Sequence, residues 1–122
     1  MLDDNDDSLM ILINFLGKKI LFTGDASKER EKQLITLINE DIDVLKVGHH
    51  GSKTSTSSEL LYALKPEFGI ISTSINNRYG MPHQEVINQL NVFHIKYFIT
   101  SLDGSIQMTI YQGEIKWETY PP

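Results

Sequence analysis

The sequence predicts an α/β fold, a mixed β-sheet with helices packed on it. Through the middle of the chain, short apolar runs of strand length alternate with segments that have helical periodicity. Pairs of strand-like runs lie at both ends. The 122 residues are 40% hydrophobic and 22% charged, which is typical of a globular domain that buries a core. The alternation of strands and helices favours a sheet that contains parallel strands over an all-β barrel.

The first third of the chain predicts a strand, a turn, a strand and a helix. Residues 9–15 are almost continuously apolar, so we expect a strand buried on both faces. Residues 17–19 predict a turn, and residues 20–22 the returning strand. A helix is expected from about Ser27 or Lys28 to Asn39. Its apolar stripe consists of Leu34, Ile35, Leu37 and Ile38.

The central third predicts two more strands, each followed by a helix. Residues 41–47 and 68–72 are the strands, and the second opens into a long polar loop that ends at Pro82. Thr56 and Glu59 have the spacing of a capping box, which predicts the start of the first helix. Pro66 ends that helix. Its apolar face consists of Leu60, Leu61, Ala63 and Leu64.

The last third predicts a short helix over residues 84–91 and a strand over residues 95–100. A turn at residues 102–104 leads into a hairpin, with strands over residues 106–111 and 115–120 about Gln112-Gly113. The sequence contains no internal repeat and no Pro/Gly/Ser-rich linker, so residues 1–122 are expected to form a single domain.

Side chains suited to metal or acid–base chemistry follow the predicted strands. Asp25 follows the second strand, and His49 and His50 follow the third. The loop after the fourth strand contains Asn76, Asn77, Tyr79 and His83. Because the carboxyl ends of parallel strands share one edge of a sheet, these groups can converge. A carboxylate with two or three imidazoles suits Zn²⁺, Mn²⁺ or Fe, and the absence of cysteine excludes thiolate ligands.

Each of these residues also has a purely structural interpretation. Asp25 equally suits the cap of the helix that follows it. In a His-His pair, one ring commonly bonds the backbone while the other faces solvent. His83, after Pro82, fits an ordinary loop or N-cap position, and His94 fits a structural or surface role.

The net charge of -5 argues against tight non-specific binding to nucleic acid, which requires Lys and Arg to neutralise phosphates. The acidic residues 3–7 are expected to form a solvated end. No apolar run approaches the ~18–20 residues that span a bilayer, and no signal-peptide pattern opens the sequence.

Four stretches of this sequence, in this order, resemble a known family. They are Asn-Asp-Asp-Ser-Leu at residues 5–9, Thr-Gly-Asp at 23–25, Leu-Lys-Val-Gly-His-His-Gly-Ser at 45–52, and Asn-Arg-Tyr-Gly-Met-Pro-His at 77–83. Together they resemble the metallo-β-lactamase-like domain of the ComEC competence DNA-internalisation protein family, over residues 5–104. The resemblance implies half of an αββα sandwich. Its first half carries a His-x-His-x-Asp-His motif that this sequence lacks, so the chain looks like the C-terminal half.

The resemblance also implies roles for single residues. Asp25 matches a metal ligand that can bridge two ions. His49 and His50 match paired histidines that ligate metal or stabilise the leaving oxygen, and which of them faces the metal is left open. Asn77 and Tyr79 match the loop that closes the site. Relatives commonly carry His directly before the loop proline, where this chain has Met81; either His83 substitutes or that ligand is lost.

By this resemblance the intact protein is a bacterial DNA-uptake protein of the cell membrane, with the domain on the extracytoplasmic side. The domain would hydrolyse DNA phosphodiesters with Zn²⁺ or Mn²⁺. Ser52, Lys53 and Thr54 would contact phosphate, with Lys53 as the point charge.

The fragment alone is expected to be soluble and inactive. Whether it binds metal by itself is left open. Expected partners are DNA, the rest of the parent protein and, through an exposed apolar sheet face, a second copy. The alternatives are a non-catalytic scaffold or interaction domain and a metal-free substrate-binding module.

Overall fold

The computed structural model describes residues 9–38 and 40–122, and its centre is a five-stranded mixed sheet. The strands are β1 (Ile11–Phe15), β2 (Lys18–Phe22), β3 (Val44–Lys46), β4 (Phe68–Ile71) and β5 (Lys96–Ile99), and they lie side by side in chain order. β1 is antiparallel to β2, and the other pairs are parallel. The structure confirms the expected mixed α/β architecture. The stretch at residues 5–8 and the expected helix end at Asn39 lie outside the described residues.

Three helices close one face of this sheet. They are α1 (Lys28–Leu37), α2 (Ser58–Leu64) and α3 (Gln84–Val92), and a single helical turn, α4 (Thr100–Asp103), follows β5. Their buried side chains share one core cluster with the sheet. The helices contribute Leu34, Leu60, Leu61, Leu64, Val86 and Leu90; the strands contribute Leu21, Leu45, Ile71 and Ile99. Within residues 9–38 and 40–122, no helix is long and apolar enough to cross a membrane.

The caps of α1 and α2 are not the residues that the sequence suggested. Ser27 caps α1, with its Oγ accepting the Arg30 N–H at 3.3 Å, so the structural interpretation of Asp25 as the cap is wrong. The capping box predicted at Thr56 is wrong by one residue, because Ser57 caps α2 and accepts the Leu60 N–H at 3.2 Å. Thr56 is instead held in a left-handed conformation with φ of 59°.

A hairpin lies on the opposite face of the sheet. It consists of β6 (Ser105–Tyr111) and β7 (Glu114–Tyr120), and both residues of its expected turn, Gln112 and Gly113, have positive φ. Trp117 packs on Phe68 and Phe98, with ring centroids 5.1 Å and 4.9 Å apart. The hairpin therefore covers the β4–β5 side of this face.

The edge strand β1 is uncovered, and here a prediction from the sequence was wrong. β1 is exposed along its whole length instead of being buried on both faces. Ile13 is 40% exposed and Phe15 54% exposed. β1 is an edge strand, and the helices and the hairpin cover the sheet elsewhere. The turn before β2 also differs, because it consists of Leu16 and Gly17 and β2 already begins at Lys18.

Candidate functional site

Two loops pack directly on each other at the carboxyl ends of β2 and β3. The His49 N–H donates to the Gly24 carbonyl oxygen at 2.8 Å. Gly48 is required at this contact, since a Cβ there would lie 2.7 Å from Thr23 Oγ1. The Ser55 hydroxyl donates to the Gly48 carbonyl at 3.1 Å and fixes the loop from the other side. The Thr-Gly-Asp and Gly-His-His stretches thus form one unit.

The histidine loop is strained. His49, His50 and Gly51 are consecutively left-handed, with φ of 51°, 53° and 83°. For non-glycine residues this conformation costs about 1–2 kcal/mol each. The next loop helps to hold it, since the His83 N–H donates to the Gly51 carbonyl at 2.9 Å. Strain held by surrounding contacts is characteristic of functional sites.

His50 has the orientation that a metal-binding histidine requires. Its Nδ1 lies 2.7 Å from the Ser72 carbonyl oxygen. A carbonyl only accepts hydrogen bonds, so the neutral ring carries its proton on Nδ1, and Nε2 has a lone pair. Histidines that ligate metals commonly have their other nitrogen fixed in this way. His49 differs, because its Nδ1 lies 3.3 Å from the Thr54 hydroxyl, which can donate or accept.

Two clefts meet at His50, Tyr79 and Met81. The His50 cleft, of about 280 Å³, is lined by His50, Ser72, Thr73, Ser74, Asn77, Tyr79 and Met81. The Thr54 cleft, of about 350 Å³, is lined by His49, His50, Ser52, Thr54, Tyr79 and Met81. Both histidines, both predicted hydroxyl residues and both predicted loop residues therefore line these two clefts. Met81 contributes its residue surface to both clefts.

Asn77 shapes the loop that borders these clefts. Its Nδ2 donates to the Met81 carbonyl at 2.5 Å, and its Oδ1 accepts the Met81 N–H at 2.6 Å. The amide is thus engaged in closing the loop. Tyr79 is 69% exposed and contributes side-chain surface to both clefts.

His83 connects three segments through its ring and backbone. The Lys53 N–H donates to His83 Nδ1 at 3.0 Å, and His83 Nε2 lies 3.0 Å from the Tyr79 carbonyl. Nδ1 therefore carries the lone pair and Nε2 the proton, so both nitrogens are engaged. A role of His83 as metal ligand would require one of these bonds to open. The residue is also the N-cap of α3.

Lys53 is not among the residues that line the histidine clefts. It lines a separate, small cleft together with Lys28, Ser55, Thr56, Glu85, Val86 and Gln89, which we call the lysine cleft. Ser52 and Thr54 line the Thr54 cleft. Successive residues of the segment after His50 therefore line two different clefts.

Asp25 is exposed after β2 and acts electrostatically on Lys46, a residue that the sequence did not single out. Burial lowers the pKa of the Lys46 amine, and the negative charge of Asp25 partly offsets this shift. Lys46 lies beside Phe22 on the sheet face opposite the helices. The alternation of side chains along β3 could have identified Lys46 from the sequence. Leu45 faces the helices, so its neighbour Lys46 must face the other side of the sheet.

Glu31 is a second residue that sequence reasoning missed. It is fully buried and accepts the N–H groups of Thr56 and Ser57 at 2.6 Å and 2.9 Å. Burial raises the pKa of its carboxyl group, against the opposing effect of these hydrogen bonds. The spacing could have identified Glu31 from the sequence, because a residue three positions before Leu34 lies on the apolar face of α1. Leu37, expected in that face, is 80% exposed.

The donors of the described residues do not form a complete metal site. Across residues 9–38 and 40–122, no three His, Asp or Glu side chains are grouped so that they could hold a metal ion. The chain offers His50 with a suitably oriented nitrogen and Asp25 at the same sheet edge. These residues make at most part of a site.

The family of the chain follows from comparison with known proteins. The model of the Metallo-beta-lactamase superfamily matches residues 2–74, more than half of the sequence. The chain belongs to this superfamily. The mixed sheet with helices on one face agrees with that assignment and confirms the expected fold class.

Three curated proteins confirm the more specific resemblance. The chain is 40% identical to "ComE operon protein 3" of Bacillus subtilis and 35% identical to "Recombination protein 2" of Haemophilus influenzae, over 97% and 93% of its length. It is 33% identical to "Competence protein ComA" of Neisseria gonorrhoeae over 94% of its length. The matches cover only 15%, 14% and 17% of these proteins. The chain thus spans a small part of the curated relatives that it matches.

Proposed function

We propose that this chain is the C-terminal half of a metal-dependent phosphodiester hydrolase domain, residues 1–122 forming one partial domain of a larger DNA-uptake protein. The orientation of His50 carries the proposal, because its ring presents a lone pair at Nε2 next to a surface cleft. Asp25 is the second proposed ligand. The remaining ligands, for Zn²⁺ or Mn²⁺, come from parent segments outside this chain, so the fragment alone is inactive.

DNA is the proposed substrate, and the parent is proposed to be a protein of the cell membrane with this domain on the extracytoplasmic side. The names of the competence relatives support that setting. His49, Ser52, Thr54 and Tyr79 line the Thr54 cleft beside His50 and are proposed to position the phosphodiester.

Calorimetry with Mn²⁺ and Zn²⁺ on the intact parent domain tests this proposal. We expect Asp25→Ala and His50→Ala each to lower metal affinity by at least about tenfold and to abolish cleavage of a DNA oligonucleotide. His94→Ala is the matched control, since His94 is an exposed histidine outside these clefts. Unchanged metal affinity in His50→Ala would overturn the assignment of His50.

A non-catalytic scaffold is the second candidate function. Met81 favours it, since a thioether in both clefts is a poor ligand for hard or borderline metals. An intact domain that binds neither ion and cleaves no DNA would establish this alternative.

The uncovered strand β1 suggests how the chain meets its partners. β1 contains no charged residue and no proline, the usual protections of an edge strand. We propose that the rest of the parent protein covers this strand, and that the isolated fragment covers it with a second copy. Light scattering should show concentration-dependent dimers that Ile13→Lys weakens, whereas a monodisperse monomer at high concentration would contradict this.

A further inference from the structure

We propose that the lysine cleft is an oxyanion site that binds a phosphate group, distinct from the clefts at His50. Lys28 at the start of α1 and Lys53 after the histidine loop both line it. Within the described part of the chain, neither lysine makes an ion pair within 4.0 Å. Lys28 acts electrostatically on the buried Glu31 carboxylate, which accepts the Thr56 N–H. Two such cations at one cleft stand out in a chain whose net charge is -5.

Thr56 supplies an independent observation at the same place. It lines this cleft, is 2% exposed, and its Oγ1 has no hydrogen-bond partner among the described residues. A buried hydroxyl without a partner costs about 1–3 kcal/mol. The residue is also held left-handed, at φ of 59°, which is rare for a β-branched side chain. A bound oxyanion would give this hydroxyl the acceptor that it lacks.

The size of the cleft limits the ligand. Its volume of about 60 Å³ suits a single small group rather than a base or a sugar ring. Two ammonium groups and a hydroxyl are donors, so the complementary group is an oxyanion with several acceptor oxygens. Gln89 adds an amide to the wall, and Glu85 adds a carboxylate that opposes an anion.

The position of the cleft connects it to the histidine site. Ser52 and Thr54 line the Thr54 cleft, while Lys53 and Ser55 line the lysine cleft. A strand of nucleic acid that crosses this segment would present one phosphate to each side. The choice of a nucleic-acid phosphate rests on the proposed function, whereas the affinity for an oxyanion does not.

NMR titration of the fragment with inorganic phosphate, in EDTA to exclude metal, tests the site. We expect saturable shifts of the Lys53, Ser55 and Thr56 amides. Lys28→Met and Lys53→Met should each weaken phosphate binding about three- to tenfold, since each removes a charged donor. Glu85→Gln should strengthen it about twofold, because the opposing charge is lost. Lys116→Met is the control, since Lys116 is an exposed lysine on β7.

A second titration with a short single-stranded oligodeoxynucleotide separates the two sources of phosphate. Binding more than tenfold tighter than that of inorganic phosphate, and equally sensitive to Lys28→Met, supports a nucleic-acid backbone; equal affinities support a free phosphate ion. Absence of saturable shifts, or phosphate binding that survives the combined Lys28→Met and Lys53→Met variant, would overturn the site. Neither titration uses metal or cleavage, so this inference and the proposed hydrolase function fail independently.

Discussion

The interior strands of the five-stranded sheet and its edge strand β1 differ in how completely this chain covers them. On the helix face, Leu45 and Ile71 are 1% and 0% exposed. On the opposite face, the hairpin covers Phe68 and Phe98, but Ile13 and Phe15 of β1 remain 40% and 54% exposed. The open region is the edge strand β1, because Leu12 on the helix face is also 40% exposed. On the hairpin face, Ile20 of β2 and Val44 of β3 are 8% and 0% exposed, so the interior strands are buried there as well.

The largest effect should come from truncating matched isoleucines of an interior strand and of β1. Ile71→Ala should lower the free energy of unfolding by about 2–5 kcal/mol, because it leaves a cavity in the closed core. Ile13→Ala should cost about 1 kcal/mol or less, because the side chain is already partly solvated. Urea denaturation at several protein concentrations measures both. Equal losses at low concentration would show that β1 is covered in solution, and the contrast between the interior and the edge would fail.

Glu31→Ala should have the next largest effect, since it acts inside the helix layer. Two buried N–H groups, those of Thr56 and Ser57, would lose their acceptor. The expected loss is about 2–4 kcal/mol of unfolding free energy. Glu29→Ala is the control, because the Glu29 side chain is 81% exposed. A loss equal to that of the control would show that the carboxylate does not hold the two segments together.

The titration of Glu31 makes the stability of the helix layer depend on pH. Burial raises the pKa of the carboxyl group above its ordinary 4.5, so the folded state binds the proton more tightly than the unfolded state. The stabilising contribution of Glu31 to the free energy of unfolding is fully present below pH 4.5. It is lost as the pH rises through the pKa of this carboxyl group in the folded state. Glu31→Gln should remove this slope from urea midpoints measured above pH 4.5, whereas an unchanged slope would exclude Glu31 as its source.

The smallest effect, and the only stabilising one, is expected at the turn of the open region. Leu16 has φ of 51° and is 64% exposed. Asn tolerates this conformation better and favours such two-residue turns, so Leu16→Asn should stabilise the fold by about 0.5–1 kcal/mol. Gln112→Asn is the matched variant in the hairpin turn, where φ is also 51°. Thermal unfolding of both variants measures the effect, and a lower melting temperature for Leu16→Asn would refute it.

Local features of the fold were predictable because their causes are local. The start of α1 was predicted at Ser27 or Lys28, and Gln112-Gly113 sits between two alternating strands, so the start of the helix and the turn were both identified. The position of His49 and His50 at the end of a strand was predicted from the apolar run that precedes them. The exposure of β1 was not predictable in this way, because it depends on which elements of the fold pack beside the strand rather than on residues 9–15 alone.

The hydrogen bonds of the candidate site were beyond sequence reasoning for a different reason. The periodicity of α1 and the alternation along β3 point to the faces on which Glu31 and Lys46 lie. The partners of these residues, the Thr56 and Ser57 N–H groups and the charge of Asp25, belong to segments distant in sequence. Likewise, His50 and His83 are equivalent as residue types. The Ser72 carbonyl leaves His50 one nitrogen with a lone pair, while Lys53 and Tyr79 occupy both nitrogens of His83.

The stacking of Trp117 has a spectroscopic consequence. It is the only tryptophan in the sequence, and its ring rests on one phenylalanine of β4 and one of β5. Its emission therefore reports on one event, the seating of the hairpin on the sheet, without any added label. A red shift that precedes the loss of the helical circular-dichroism signal would show that the hairpin lifts while the helix layer stays folded.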